Sequence, residues 1–306
     1  MKAFKRAGLT GLRAAAVVLA CAAIAPASGA AQGGRPAAAS RVPRLGHVVV
    51  VVFENRSYGQ VIGSAAAPTF NRLARSGALL TRYYAVAHPS LPNYVAMVSG
   101  STQGITTDCI VCTVNARNLA DQLEGAGRSW KVYAEGLPAT GFAGAQAGRY
   151  VKRHNPFLYF ANINNSPARR THVVGLSRLR GDVIAHRLPA FSLVVPDLCH
   201  DMHDCPVATG DAWLRRMLPT LRLAGGAVFI VFDEGADTDR AGGGGHVPAL
   251  VIGPAVRSGA RSSAVLTHYS LLRTIEEALG LPRLGRAGTA APITGIWRTP
   301  PRRPGA

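Results

Sequence analysis

His47-Val48-Val49-Val50-Val51-Val52-Phe53-Glu54-Asn55-Arg56-Ser57-Tyr58-Gly59 is the run that decides the fold. Five valines and a phenylalanine without polar alternation predict a strand buried on both faces, as in a parallel sheet. The abrupt change at Glu54 puts polar residues at the strand's C-terminal end, where open α/β sheets carry their sites. Outward from this run the pattern repeats. Residues 190–195 are apolar and lead into Pro196-Asp197; residues 227–232 are equally apolar and lead into Asp233-Glu234. Further strands are predicted at 130–134 and 248–252. Between them lie helical segments at 69–76, 91–98, 116–124, 211–223 and 269–279, several ending at glycine. With no internal repeat, this alternation predicts one α/β domain, a three-layer α/β/α sandwich with a mostly parallel central sheet.

The 306 residues are 48% hydrophobic and 16% charged, a composition suited to a buried core and not to disorder. Lys2, Lys5, Arg6 and Arg13 precede a short apolar stretch at 14–25, then Pro26 and small residues to Ala30. This is the pattern of a cleaved signal peptide, too short to span a bilayer. Export, either secreted or held at the cell envelope, is therefore expected. Cys21 offers a lipidation alternative, disfavoured because the apolar stretch continues past it. The expected organisation is a signal peptide at 1–30, a flexible lead-in at 31–46, a catalytic domain at 47–290 and a Pro/Arg-rich tail at 291–306. The formal net charge of +18 comes mostly from arginine, scattered and not blocked. That scatter argues for compositional bias and against a specific nucleic-acid partner. Once Cys21 is removed with the leader, Cys109, Cys112, Cys199 and Cys205 remain. An even number in an exported chain favours two disulfides. The spacing suggests Cys109–Cys112 and Cys199–Cys205, although three connectivities are open and a four-thiolate zinc site is the rival.

Glu54, Asp197 and Asp233-Glu234 end three buried strands that a parallel sheet would bring to one edge. Carboxylates gathered there repel one another unless a cation neutralises them, which points to a metal site of oxygen and imidazole ligands. His88-Pro89-Ser90-Leu91-Pro92-Asn93 would set Ser90 at a helix N-terminus, either as a cap or as a nucleophile where backbone N–H groups favour an anion. Asp197 to Cys205 is dense in Asp, His and Cys. A run of four glycines gives His246 room to approach a metal.

Six runs, in this order, resemble the phosphoesterase family of bacterial acid phosphatases and non-haemolytic phospholipases C, within the alkaline phosphatase superfamily. They are Phe53 to Tyr58, Ser90 to Asn93, Pro196 to Asp201, Phe232 to Gly235, His246 to Pro248 and His268 to Leu272. The resemblance implies an alkaline-phosphatase-like fold and hydrolysis of phosphoric esters with one or two divalent metal ions per chain. It implies Ser90 as the metal-bound nucleophile and Glu54, Asn55, Asp233 and Glu234 as the other metal ligands. A second site would use Asp197, Asp201 and His246. Asn93, His154 and His200 are the expected substrate contacts. Phospholipase C members are longer, and this chain ends soon after its final predicted helix, which favours small phosphomonoesters. Phosphodiester or phospholipid hydrolysis is the alternative, and a non-catalytic anion-binding envelope protein the remote one. The sequence context of a formylglycine-dependent sulfatase is absent around Ser90.

Overall fold

The computed structural model describes residues 42–298. The expected signal peptide with Cys21, most of the lead-in, and Arg302 and Arg303 of the tail lie outside the described residues. Eight strands form the central sheet: β1 (Val48–Phe53), β2 (Ala78–Leu80), β3 (Trp130–Ala134), β4 (Val173–Gly175), β5 (Phe191–Val195), β6 (Ala227–Phe232), β7 (Ala249–Ile252) and β8 (Ala260–Ser262). Their spatial order is β8-β2-β7-β6-β1-β5-β3-β4. Only β7 runs antiparallel to its neighbours; every other pairing is parallel.

The all-apolar runs take the centre of this sheet, as their lack of alternation requires. All six residues of β1 and all six of β6 are buried. Register places Phe53 opposite Phe232, so Glu54 and Asp233 leave the sheet side by side. Beneath that point Phe53 packs on Phe70, Phe232 and Trp213, with ring centroids 5.1, 5.4 and 5.7 Å away. Such a packed aromatic floor fixes the strand ends that carry the carboxylates.

Among the described residues, six helices of seven or more residues surround the sheet: α1 (Pro68–Ser76), α2 (Ser90–Ser99), α3 (Leu119–Gly125), α4 (Arg178–Ile184), α5 (Val207–Leu223) and α6 (His268–Leu279). They form two packing groups, α1 and α4 against α5, and α3 and α6 against α2. The ten residues of α2 are all buried, so this helix is a core element sandwiched between sheet and α6. Among the described residues no helix is long and apolar enough to cross a membrane. Both disulfides join the sequence neighbours, Cys109 to Cys112 and Cys199 to Cys205.

The packed chain runs further at both ends than composition suggests. Val42 and Leu45 are buried, and the Leu45 N–H bonds the Ala278 carbonyl. On the other side, Ile293, Ile296 and Trp297 are buried, with the Trp297 indole donating to the Ile293 carbonyl. The tail expected from residue 291 therefore starts too early. Three apolar side chains in a Pro- and Arg-rich context still find a core to cover.

Candidate active site

Four carboxyl and hydroxyl groups meet where β1, β6 and α2 converge. Ser90 is the first residue of α2, and its hydroxyl lies 3.1 Å from Glu54 Oε2 and 3.0 Å from Glu234 Oε1. One hydroxyl proton cannot satisfy both. Asp233 sits beside them, its Oδ1 accepting the Asn55 N–H at 3.3 Å. Asn55 itself has φ 53°, the left-handed region that asparagine tolerates better than other side chains. That turn carries the chain off β1 and keeps Asn55 beside Asp233.

Burial decides the electrostatics. Glu54, Ser90, Asp233 and Glu234 are all at most 3% exposed. The Glu54 carboxyl is pushed well up by burial first, then by the charges of Asp233 and Asp201. Burial followed by the Asp233 charge also pushes Glu234 up. Burial raises Asp233 too, against the opposing contacts of Ser90 and Glu54. In addition, Asn55 Oδ1 and Asp233 Oδ2 are buried without a hydrogen-bond partner. Buried acceptors in excess of donors suit a cation, whose charge would satisfy them. The residues present thus fit a divalent metal with oxygen ligands.

A second layer lies directly behind Glu54. Tyr94, one turn into α2, donates to Glu54 Oε1 at 2.5 Å. His154 stacks on Tyr94 and bridges two carboxylates, with Nε2 3.2 Å from Glu54 Oε1 and Nδ1 3.1 Å from Asp201 Oδ2. Burial holds His154 well below the usual histidine range, so the ring is neutral there. Glu54, His154 and Asp201 could themselves hold a cation, since their ligand atoms lie within 4.8 Å of one another.

Other expected residues sit elsewhere. His154 lies behind Glu54, between it and Asp201, and not beside the Ser90 hydroxyl. Asn93 is fully buried: its Oδ1 accepts from the Val86 and Ala87 N–H groups, and its Nδ2 donates to the Ala87 and Pro89 carbonyls. With every polar atom engaged, it shapes the loop before Ser90 and has nothing left for a phosphoryl oxygen. His200 joins Glu135 and Asp197, with Nδ1 3.0 and 3.4 Å from their oxygens, in a separate, partly exposed group. His246 stacks on Tyr58, packs at a tilt against Tyr84 and contacts the Thr81 carbonyl through Nε2. Asp197, Asp201 and His246 therefore fall into three different surroundings and do not form one site, because β5 delivers Asp197 toward β3 while Asp201 turns back beneath Glu54.

Sequence reasoning gave no role to two histidines. His88 holds Glu234 Oε2 through Nδ1 and the Asp239 carbonyl through Nε2. His268, the first residue of α6, is fully buried between the Tyr83 hydroxyl (3.0 Å) and the Asp233 carbonyl (2.6 Å). Their signal was position alone: His88 two residues before Ser90, His268 at a helix start inside a recognised run.

The model of the phosphoesterase family matches residues 64–282. The chain belongs to the phosphoesterase family. The match opens ten residues after Glu54, so Glu54 and Asn55 precede it. Over 267 residues the chain is 37% identical to a phosphatidylinositol-3-phosphatase of Mycobacterium tuberculosis, covering 85% of each. It is 30% identical to a phosphate-repressible acid phosphatase of Penicillium chrysogenum, covering 71% of this chain and 55% of that one. The chain thus spans little more than half the length of its fungal relatives. Among solved structures, an alkaline phosphatase superfamily protein of Vibrio parahaemolyticus shares the fold, with TM-score 0.57 and 16% identity over 83% of this chain and 72% of that one. This phosphoesterase is a hydrolase acting on phosphoester bonds.

Proposed function

We propose that this phosphoesterase is an exported, metal-dependent phosphatase that hydrolyses phosphomonoesters through a phosphoseryl intermediate on Ser90. One observation carries the proposal: the Ser90 hydroxyl is buried against two carboxylates, beside two acceptors that lack any donor. Glu54, Asn55, Ser90, Asp233 and Glu234 would hold one divalent cation, with Glu54, His154 and Asp201 the place for a second. The cation would supply charge neutralisation and a lowered hydroxyl pKa at Ser90.

The protein's own groups do the rest. The Ser90 proton passes to Glu54 Oε2 or Glu234 Oε1, both within 3.1 Å. As the Ser90 Oγ–P bond forms, the bond from phosphorus to the ester oxygen breaks and the alcohol leaves. Water then attacks phosphorus, the Ser90 Oγ–P bond breaks, and inorganic phosphate departs with the serine restored. Tyr94 and His154 hold Glu54 in place, while His88 holds Glu234. Monoesters are favoured over diesters by the acid phosphatase names of the fungal relatives. A lipid-borne monoester is the second reading, favoured by the mycobacterial relative that matches most of both chains. Export, with the leader at 1–30 removed, accords with two disulfides in the packed chain.

Purified protein should hydrolyse p-nitrophenyl phosphate faster than its bis-ester, stop on chelation and recover with added divalent metal. Ser90→Ala should lower kcat by at least ~10³-fold, on the scale of lost nucleophiles. Turnover undiminished in Ser90→Ala would overturn the assignment of the nucleophile.

A further inference from the structure

Between Asp108 and Val114 the chain makes a short loop beside the nucleophile's helix. Asp108 Oδ1 accepts the Leu91 N–H at 2.9 Å, one residue from Ser90. At the other end, the Val114 N–H bonds the Tyr159 carbonyl. The Cys109–Cys112 disulfide closes the loop, and both cysteines pack against the core. Lys152 lies beneath it, its Nζ 3.4 Å from the Ile110 carbonyl.

Only two residues remain between the cysteines, and both are apolar. Ile110 is 60% exposed and Val111 is 88% exposed. Single exposed apolar side chains are common on folded proteins and need no explanation. This pair is different in three respects. Among the described residues it is the one place where two large exposed apolar side chains adjoin in sequence. A disulfide closes the chain on either side of the pair, with both cysteines packed on the core and the pair itself exposed. Asp108 ties the loop to the first turn of α2, so the bare tip stands at the catalytic serine's own helix.

We propose that the Ile110–Val111 tip is an interfacial anchor that seats the active site on an anionic phospholipid surface. This deepens the proposed phosphatase reading, on which it rests, by assigning lipid-borne phosphoesters as a substrate class. A tip of two β-branched side chains suits shallow insertion at the boundary between headgroups and acyl chains. Charge supports the same partner. Arg117 is exposed close by in sequence, and the whole chain carries 34 basic residues against 16 acidic ones, while Arg153 is paired with Asp108 of the loop. A positive surface is drawn to anionic lipid, which would add to the small apolar contribution of the tip.

The test separates docking from chemistry by using Ser90→Ala protein for binding. Phosphatidylcholine vesicles containing phosphatidylserine are sedimented with full-length Ser90→Ala protein and with the same protein carrying Ile110→Ser and Val111→Ser. The tip variant should partition roughly tenfold less, as loss of two partly inserted apolar side chains requires. Val111→Trp gives a second readout with brominated acyl chains. Its indole should be quenched on vesicles, while the buried Trp130, Trp213 and Trp297 stay unquenched. In the Ser90-intact chain, Ile110→Ser/Val111→Ser should keep turnover of soluble p-nitrophenyl phosphate yet lose turnover of a monoester carried on vesicles. Equal sedimentation with and without the tip, or an unquenched Val111→Trp, overturns the anchor and leaves the phosphatase reading untouched. Loss of soluble turnover in the tip variant also overturns it, making the loop part of the catalytic geometry.

Discussion

His268 shows how a residue can govern the site without facing it. Buried and flanked by the Tyr83 hydroxyl, it donates through Nε2 to the Asp233 carbonyl, fixing the turn that presents the Asp233 carboxylate. Burial holds its pKa down at about 4, so this ring stays neutral and its role is geometric. His268→Ala should lower metal affinity by roughly 10- to 100-fold, the usual cost of losing support behind a ligand. His268→Gln, which can still donate, should recover part of it. Metal titration of the two variants checks this, and equal affinity to wild type in His268→Ala would remove the role. At this scale the sequence was only partly legible. Glu54, Asp233 and Glu234 stood out because a parallel sheet brings the acidic ends of buried strands to one edge, and Ser90 because it opens a helix. Asn93, His200 and His246 looked equally chemical, yet each is held by backbone or side-chain partners away from the Ser90 hydroxyl, and His154 lies behind Glu54. A polar side chain's sequence neighbours do not reveal how many of its hydrogen bonds are already taken.

At the scale of elements, α2 carries Ser90 as its first residue and must stop sharply to let the chain reach the surface. Gly100 ends it with φ 72°, and a Cβ there would come 2.2 Å from the Leu284 carbonyl oxygen. Both the left-handed backbone and the close approach demand glycine. Gly100→Ala should therefore destabilise by more than ~2 kcal/mol, since the left-handed penalty alone is ~1–2 kcal/mol for an L-residue. Thermal denaturation measures this, and an unchanged midpoint would show that Leu284 can move aside. Strands β1, β6 and β7 were readable because burial on both faces forces a continuous apolar run, and β3 and β5 each break theirs with one polar residue, Lys131 and Ser192. Strands β2, β4 and β8 are three residues each and lie in the outer half of the sheet on either side, too short for any periodicity to register. The acidic ends of β1 and β6 meet because those strands are parallel neighbours in register. Asp197 leaves β5 toward Glu135 of the β3 end instead, where Glu135 Oε2 accepts its N–H.

The whole molecule adds a pH dependence from a group remote from catalysis. Glu276 of α6 is buried, its Oε1 accepting from Leu284 N–H and Gln122 Nε2 while Oε2 has no partner. Burial pushes its pKa up to about 7 from 4.5. The folded chain therefore holds this proton more tightly than the unfolded chain does. As pH rises from 4.5 to 7 the unfolded state gains by ionising first, and stability falls across that window. Glu276→Gln should leave the melting temperature almost unchanged at pH 4 and raise stability at pH 8 by ~2 kcal/mol, after discounting the full linkage value for relaxation. An equal effect at both pH values would mean that Glu276 does not titrate in this way. By itself the sequence determined the fold class, the central strands and the acids that end them, because solvent exclusion and strand period act on local pattern. Only the tertiary structure decided which acids share a cavity, which histidines act as supports and that residues near 42–45 and 293–297 are packed. Those depend on strand order, register and hydrogen-bond saturation, which are properties of contacts between residues far apart in the chain.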